Sequence, residues 1–74
     1  MPRAPEGTTY LVTVWTIDGA GTWRIVMANG KWRLSRRSWF FDPINYTRLN
    51  DAKNRIRQEY ERYAFYDWQI ERIH

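Results

Sequence analysis

The dipeptide Asn29-Gly30 constrains this chain more than any other feature, because it lies between two runs of alternating residues, Thr22 to Ala28 and Lys31 to Arg37. Asn and Gly tolerate the two positive φ angles of a type I′ turn, and that turn fixes the register of the strands it joins. Ala28 then faces Lys31. Counting outward, one face carries the pairs Met27/Trp32, Ile25/Leu34 and Trp23/Arg36, and the other carries Val26/Arg33, Arg24/Ser35 and Thr22/Arg37. The spacing predicts a β-hairpin with one apolar and one basic face.

A chain of 74 residues has room for one small domain that buries about 60% of its unfolded surface. It has no cysteine and a single histidine, so neither a disulfide framework nor a zinc or iron site is expected. Packing must supply the stability, and five Trp, five Tyr and three Phe supply it densely, since each buried aromatic removes about 150 to 250 Å² from water. Residues 1–8, with two Pro, a Gly and no apolar pattern, read as a flexible lead that carries no fold information, and residues 9–74 as a single domain. Nothing resembles an export signal or an apolar span of about 18 residues, so a soluble cytoplasmic protein without membrane contact is expected. On that expectation the sequon Asn45-Tyr46-Thr47 is a coincidence.

Thr9 to Ile17 is β-branched and aromatic, and Asp18-Gly19-Ala20-Gly21 closes it with turn chemistry. A loop of two or four residues puts Val12, Val14 and Thr16 on the apolar face and Leu11, Thr13, Trp15 and Ile17 on the basic face. A loop of three residues inverts the assignment. Ser38 to Tyr46 reads as an irregular apolar connection that caps one end of the core. Thr47 is a good N-cap for a helix whose stripe is Leu49, Ala52, Ile56, Tyr60 and Tyr63, with Asp51 suited to the helix dipole and possible pairs Asp51/Arg55, Arg55/Glu59 and Arg57/Glu61 outside. Tyr66 to Ile73 fits two templates: alternation puts Tyr66, Trp68 and Ile70 on one face of a strand, while Tyr63, Tyr66, Ile70 and Ile73 prolong the helical stripe. The strand is favoured, because a helix of such length would overhang so small a core. The expected fold is thus an α+β domain of order β-β-β-α-β: a three-stranded antiparallel meander with a helix on its apolar face and a C-terminal strand.

The net charge of +4 is uneven, with +6 between Lys31 and Arg57 and −2 beyond. Arg outnumbers Lys ten to two, and Arg offers a planar fork for phosphate or carboxylate and a face that stacks on aromatics. Arg24, Lys31, Arg33 and Arg37 on the open face, with Trp15 beside Arg24 and with Arg36 and Arg48 flanking, form a candidate nucleic-acid platform for DNA or RNA. The plainer reading is a solvated face that keeps the sheet soluble. Leu11 and Val26 share that face, and an apolar patch among arginines suits a protein partner equally. Trp39, Phe40 and Phe41 cannot all point inward, so at least one is a candidate protein contact. Pairing of strand edges could also give a homodimer.

No catalytic constellation is expected. Gly19-Ala20-Gly21 precedes a strand, not a phosphate-binding helix, His74 is terminal, and Asp18 and Asp42 sit where Asp serves local backbone bonds. The chain is therefore read as a non-enzymatic binding module with no cofactor.

Three antiparallel strands followed by a helix resemble the DNA-binding domains of the AP2 type and the arm-binding N-terminal domains of tyrosine integrases. Trp23-Arg24, Lys31-Trp32-Arg33 and the helix start Leu49-Asn50-Asp51-Ala52-Lys53 carry that likeness, which spans Thr9 to Tyr63. It implies Arg and Trp of the exposed sheet face entering a DNA major groove. The long aromatic link Ser38–Tyr46 and a final strand depart from that scheme. A compact chain rich in Arg and Trp also looks like the accessory proteins of phages and mobile elements, many of which bind and block one host protein.

Overall fold

The computed structural model of the chain describes residues 4–36 and 41–74; Arg37, Trp39 and Phe40 fall outside the described residues. Strands β1 (Thr9–Thr16), β2 (Gly19–Ala28) and β3 (Lys31–Arg36) are followed by β4 (Ile44–Tyr46), helix α1 (Leu49–Glu59) and β5 (Asp67–Arg72). They form one sheet of order β4-β3-β2-β1-β5, with every neighbouring pair antiparallel. The class is α+β, and the meander, the helix and the C-terminal strand stand where the sequence puts them.

The Asn-Gly turn does what its chemistry requires. Asn29 has φ 54° and Gly30 φ 77°, and the strands pair as Ala28↔Lys31, Met27↔Trp32, Ile25↔Leu34 and Trp23↔Arg36. The β1–β2 loop has two residues, Ile17 and Asp18, since Thr16 pairs with Gly19. Val12 and Val14 therefore join Trp23, Ile25, Met27, Trp32 and Leu34 on the inner face, where all seven are buried. Ala52, Ile56 and Tyr60 of the helical stripe close over them. Strand β5 adds to β1 through Val14↔Trp68 and Val12↔Ile70, so its alternation places Trp68 and Ile70 on the inner face.

Three expectations need correction. The connection Ser38–Tyr46 contains a strand, β4, paired as Leu34↔Ile44 and Trp32↔Tyr46. Three residues behind a proline are too few to show a period of two. The helix cap is Arg48, in extended conformation with no side-chain capping bond, because β4 runs to Tyr46 and the chain uses Thr47 and Arg48 to turn. Residues 5–8 carry fold information: Gly7 N–H donates to Met27 O (2.9 Å), Met27 N–H donates to Thr8 O (2.9 Å), and Asn29 N–H donates to the Glu6 carboxylate (2.8 Å). What reads as a linker is a tight turn, with Thr8 N–H donating to Pro5 O (3.1 Å), and it lies against the end of β2.

Helix and sheet meet at a polar knot inside the core. The indole N–H of Trp23 donates to the Tyr60 hydroxyl at 3.0 Å, and the two rings stand nearly perpendicular with centroids 6.4 Å apart. Gly21 lies beneath the Tyr60 hydroxyl, where a Cβ would stand only 2.6 Å from that oxygen. A bare backbone at position 21 lets the tyrosine ring lie on the sheet.

Gly21→Ala should destabilise the domain by about 1 to 3 kcal/mol through overpacking, and Tyr60→Phe by about 1 to 3 kcal/mol through the orphaned indole N–H. The double variant, measured by urea unfolding, should be more stable than the two losses summed, because removing the hydroxyl relieves the clash. Arg48→Asp should stabilise by about 0.5 to 2 kcal/mol by capping α1; an unchanged urea midpoint would show that the N-terminal turn already has its donors satisfied.

Candidate binding surface: the open face of the sheet

Helix α1 lies on the inner face, and among the described residues no element covers the outer one. Register and alternation set the outer residues in rows across the strands. One row is Asn45, Arg33, Val26 and Thr9; the next is Ser35, Arg24, Leu11 and Glu71; then come Thr22, Thr13 and Gln69; the last is Ala20, Trp15 and Asp67. Lys31 stands opposite Ala28 at the hairpin end. The face is thus graded in charge: β2 and β3 present Arg24, Lys31 and Arg33, and β5 presents Asp67 and Glu71. Between them β1 and β2 hold an apolar strip of Leu11 and Val26, both half-buried, and Trp15, which is 43% exposed.

The structure brings only part of the expected platform together. Arg24, Lys31 and Arg33 are exposed neighbours, and among the described residues none of them makes an ion pair. Trp15 shares their face but not their position. It stands four residues along β1 from Leu11, the partner of Arg24, or about 13 Å at the rise of a strand. Its cross-strand neighbour on the other side is Asp67. The reason is the two-residue loop, which sets Trp15 against Ala20. Arg36 is absent from this face, because its guanidinium lies 4.7 Å over the Trp23 ring on the inner side. Arg48 is the N-cap of α1 and belongs to none of the cross-strand rows.

The aromatic alternative divides similarly. Phe41 packs edge-on against Trp23 at 5.0 Å, so it is committed to the core. The exposed apolar side chains lie elsewhere: Ile17 at the tip of the β1–β2 turn is 93% exposed and Phe65, before β5, is 89% exposed. With Trp15, Tyr66 and Asp67 they line an open groove of about 450 Å³ at the end of the strip. A sequence signal for Ile17 existed, since an apolar residue at the tip of a two-residue turn has nothing to pack against.

Several arginines serve structure. Arg57 stacks on Trp68 at 4.5 Å, Arg55 on Phe41 at 5.7 Å and Arg62 on Tyr63 at 5.0 Å. Arg55 also pairs with Glu59 at 3.0 Å, the only one of the three proposed helix pairs that forms. A polar cleft between the β1–β2 turn and the end of α1 is knit together by its own groups: the Tyr63 hydroxyl donates to Asp18 (2.8 Å) and accepts from Arg62 (3.1 Å). That hydrogen bond to Tyr63 raises the Arg62 guanidinium above its usual pKa. Among the described residues no three His, Cys, Asp or Glu side chains converge as metal ligands, and no helix is long and apolar enough to cross a membrane.

No protein-family model, curated protein or solved structure matches the chain. Strands β4 and β5 depart from a layout of three strands and a helix.

If Trp15 belongs to a contact surface and Trp23 to the core, truncation separates them. Trp15→Ala should leave the urea midpoint nearly unchanged, a loss below about 1 kcal/mol, whereas Trp23→Ala should cost about 3 to 5 kcal/mol. Equal losses would make Trp15 a packing residue.

Proposed function

We propose that this chain is a non-enzymatic binding module, acting in the cytoplasm, that docks through its open sheet face onto another protein surface. The observation that carries this reading is the apolar strip Leu11–Val26–Trp15 lying between cations on β2–β3 and carboxylates on β5. An apolar centre rimmed by charge is the anatomy of a protein interface. Both signs of charge on one face favour a partner that also carries both.

Nucleic acid is the second reading, favoured by the cluster Arg24, Lys31 and Arg33, which makes no ion pair among the described residues. A phosphate backbone crossing the whole face would meet Glu71 in the row of Arg24 and Asp67 beside Trp15, which is unfavourable for a polyanion.

Anisotropy with short fluorescent duplex and single-stranded DNA, at about 50 and about 200 mM salt, decides between the two. Protein docking predicts no micromolar binding at the lower salt; binding that collapses as salt rises and weakens in Arg33→Ala would establish the nucleic-acid reading instead. A photoreactive side chain at Thr13, on the open face, should cross-link to protein in a way that Trp15→Ala suppresses. The same probe at Lys53, on α1, should not. Equal labelling from both positions would remove the open face from consideration.

A further inference from the structure

We infer that the open face docks on a second copy of this chain, with β1 of each copy lying over β2 of the other. The inference rests on the reading of that face as a docking surface, and it names the occupant. Three features of the face are self-complementary about a two-fold axis that runs parallel to the strands, between β1 and β2.

Such an axis keeps position along the strands and exchanges β1 with β2 and β3 with β5. Residues of one cross-strand row therefore meet residues of the same row in the partner copy. Trp15 pairs with Ala20 within the sheet, so across the axis the largest side chain of the strip comes over the smallest in its row, from both sides. Large over small is how two sheet faces interdigitate. Thr13 comes over Thr22, a pair that can exchange hydrogen bonds.

Charge supplies the third feature. Glu71 lies in the row of Leu11, Arg24 and Ser35. The axis carries it over Ser35 of the partner copy, with that copy's Arg24 one strand away and its Arg33 two residues along. Glu71 of each copy thus comes near the other copy's Arg24 and Arg33, while Leu11 comes over Arg24, whose aliphatic stem can pack on it. An axis perpendicular to the strands would instead place β5 on β5 and β3 on β3, setting like charges together.

The area predicts a modest affinity. Four strands at ~4.8 Å spacing and seven residues at ~3.3 Å give a face of roughly 19 by 23 Å. In projection that is roughly 440 Å², about half the ~800 Å² per partner of an average specific interface and in the range of weak, transient contacts. A weak dimer, populated only at high concentration, is expected. Pairing of strand edges is a poorer route: β4 offers three residues, and β5 carries Asp67, Glu71 and Arg72 along its edge, the kind of charge that blunts edge association.

Sedimentation equilibrium of the full chain from about 10 to about 500 μM should reveal a species of twice the 9.1 kDa chain mass. Ala20→Arg, on an exposed position, should weaken it at least ~30-fold with an unchanged circular dichroism spectrum, because the added side chain fills the space that Trp15 of the other copy needs. A charge exchange is the sharper test. Glu71→Arg and the double variant Arg24→Glu with Arg33→Glu should each self-associate ~10-fold more weakly, and their equimolar mixture should regain wild-type affinity as a heterodimer. A wild-type chain that stays monomeric at about 500 μM overturns the inference, as does a dimer that tolerates Ala20→Arg, which would point to the edges. If the chain is monomeric while the Thr13 probe still cross-links to other proteins, self-docking falls and the docking face stands. If the Thr13 probe also fails, both fall.

Discussion

Everything that positions the open face depends on the contact between Trp23 and Tyr60. Trp23 lies on the central strand β2, Tyr60 terminates α1, and their hydrogen bond at 3.0 Å is buried. An indole N–H enclosed in a core costs free energy unless it is paired, so the tyrosine oxygen dictates where the end of the helix must lie. Gly21 makes room for that oxygen, Phe41 closes one edge of the indole, and Arg36 covers its face. One strand, one helix end and one connecting segment are thereby registered on a single side chain.

The aromatic content follows from the geometry of the layers. An α-helix about 10 Å across can cover roughly two strands spaced ~4.8 Å apart; the backbone of α1 lies closest to β3 and β4, while its Arg57 side chain reaches Trp68 on β5. The rest of the inner face, over β2, β1 and β5, needs another roof. Tyr60 lies within 6.4 Å of the Trp23, Tyr63 and Tyr66 rings, and Trp68 adjoins them on β5. Flat rings spread over the sheet where a larger domain would place a second helix. Arg36, Arg57 and Arg62 then lie over rings at the rim, where a guanidinium can cover an aromatic face and keep its donors in water. Arginine abundance suggested phosphate binding, but much of it supports this roof.

The parts of the fold governed by local chemistry were legible in the sequence, and the parts governed by chain geometry were not. Asn29-Gly30 admits one tight turn, so the β2–β3 register, the two faces and the buried set Trp23, Ile25, Met27, Trp32 and Leu34 could be read directly. The side of β1 depended on a single loop length, and the two-residue alternative that proved correct was open beforehand. Strand β4 was hidden by its brevity, and the helix start moved by one residue because β4 consumed the residues before it. The turn at Pro5–Thr8 was hidden because Pro and Gly mark linkers and tight turns alike. Within the candidate site, the outer face of Arg24, Lys31 and Arg33 follows from the Asn-Gly turn, whereas the face of Trp15 waited on the β1–β2 loop length. Their spacing was not legible: a position on a face follows from parity, whereas adjacency needs the exact pairing partner.

The outer face is where this sequence departs from what folding alone asks of it. An antiparallel sheet with one wet face normally alternates apolar inside with polar outside, and β3 obeys: Lys31, Arg33 and Ser35 all face outward. Strands β1 and β2 do not. Leu11, Trp15 and Val26 occupy outward positions that a threonine would fill at no cost to the core, as Thr13 and Thr22 do in the row between. Apolar groups there are covered only in part, Leu11 and Val26 half-buried and Trp15 43% exposed, since among the described residues no layer packs on the outer face. They stand on the two central strands, between Arg24, Lys31 and Arg33 on one side and Asp67 and Glu71 on the other, and that placement is what the proposed docking face rests on.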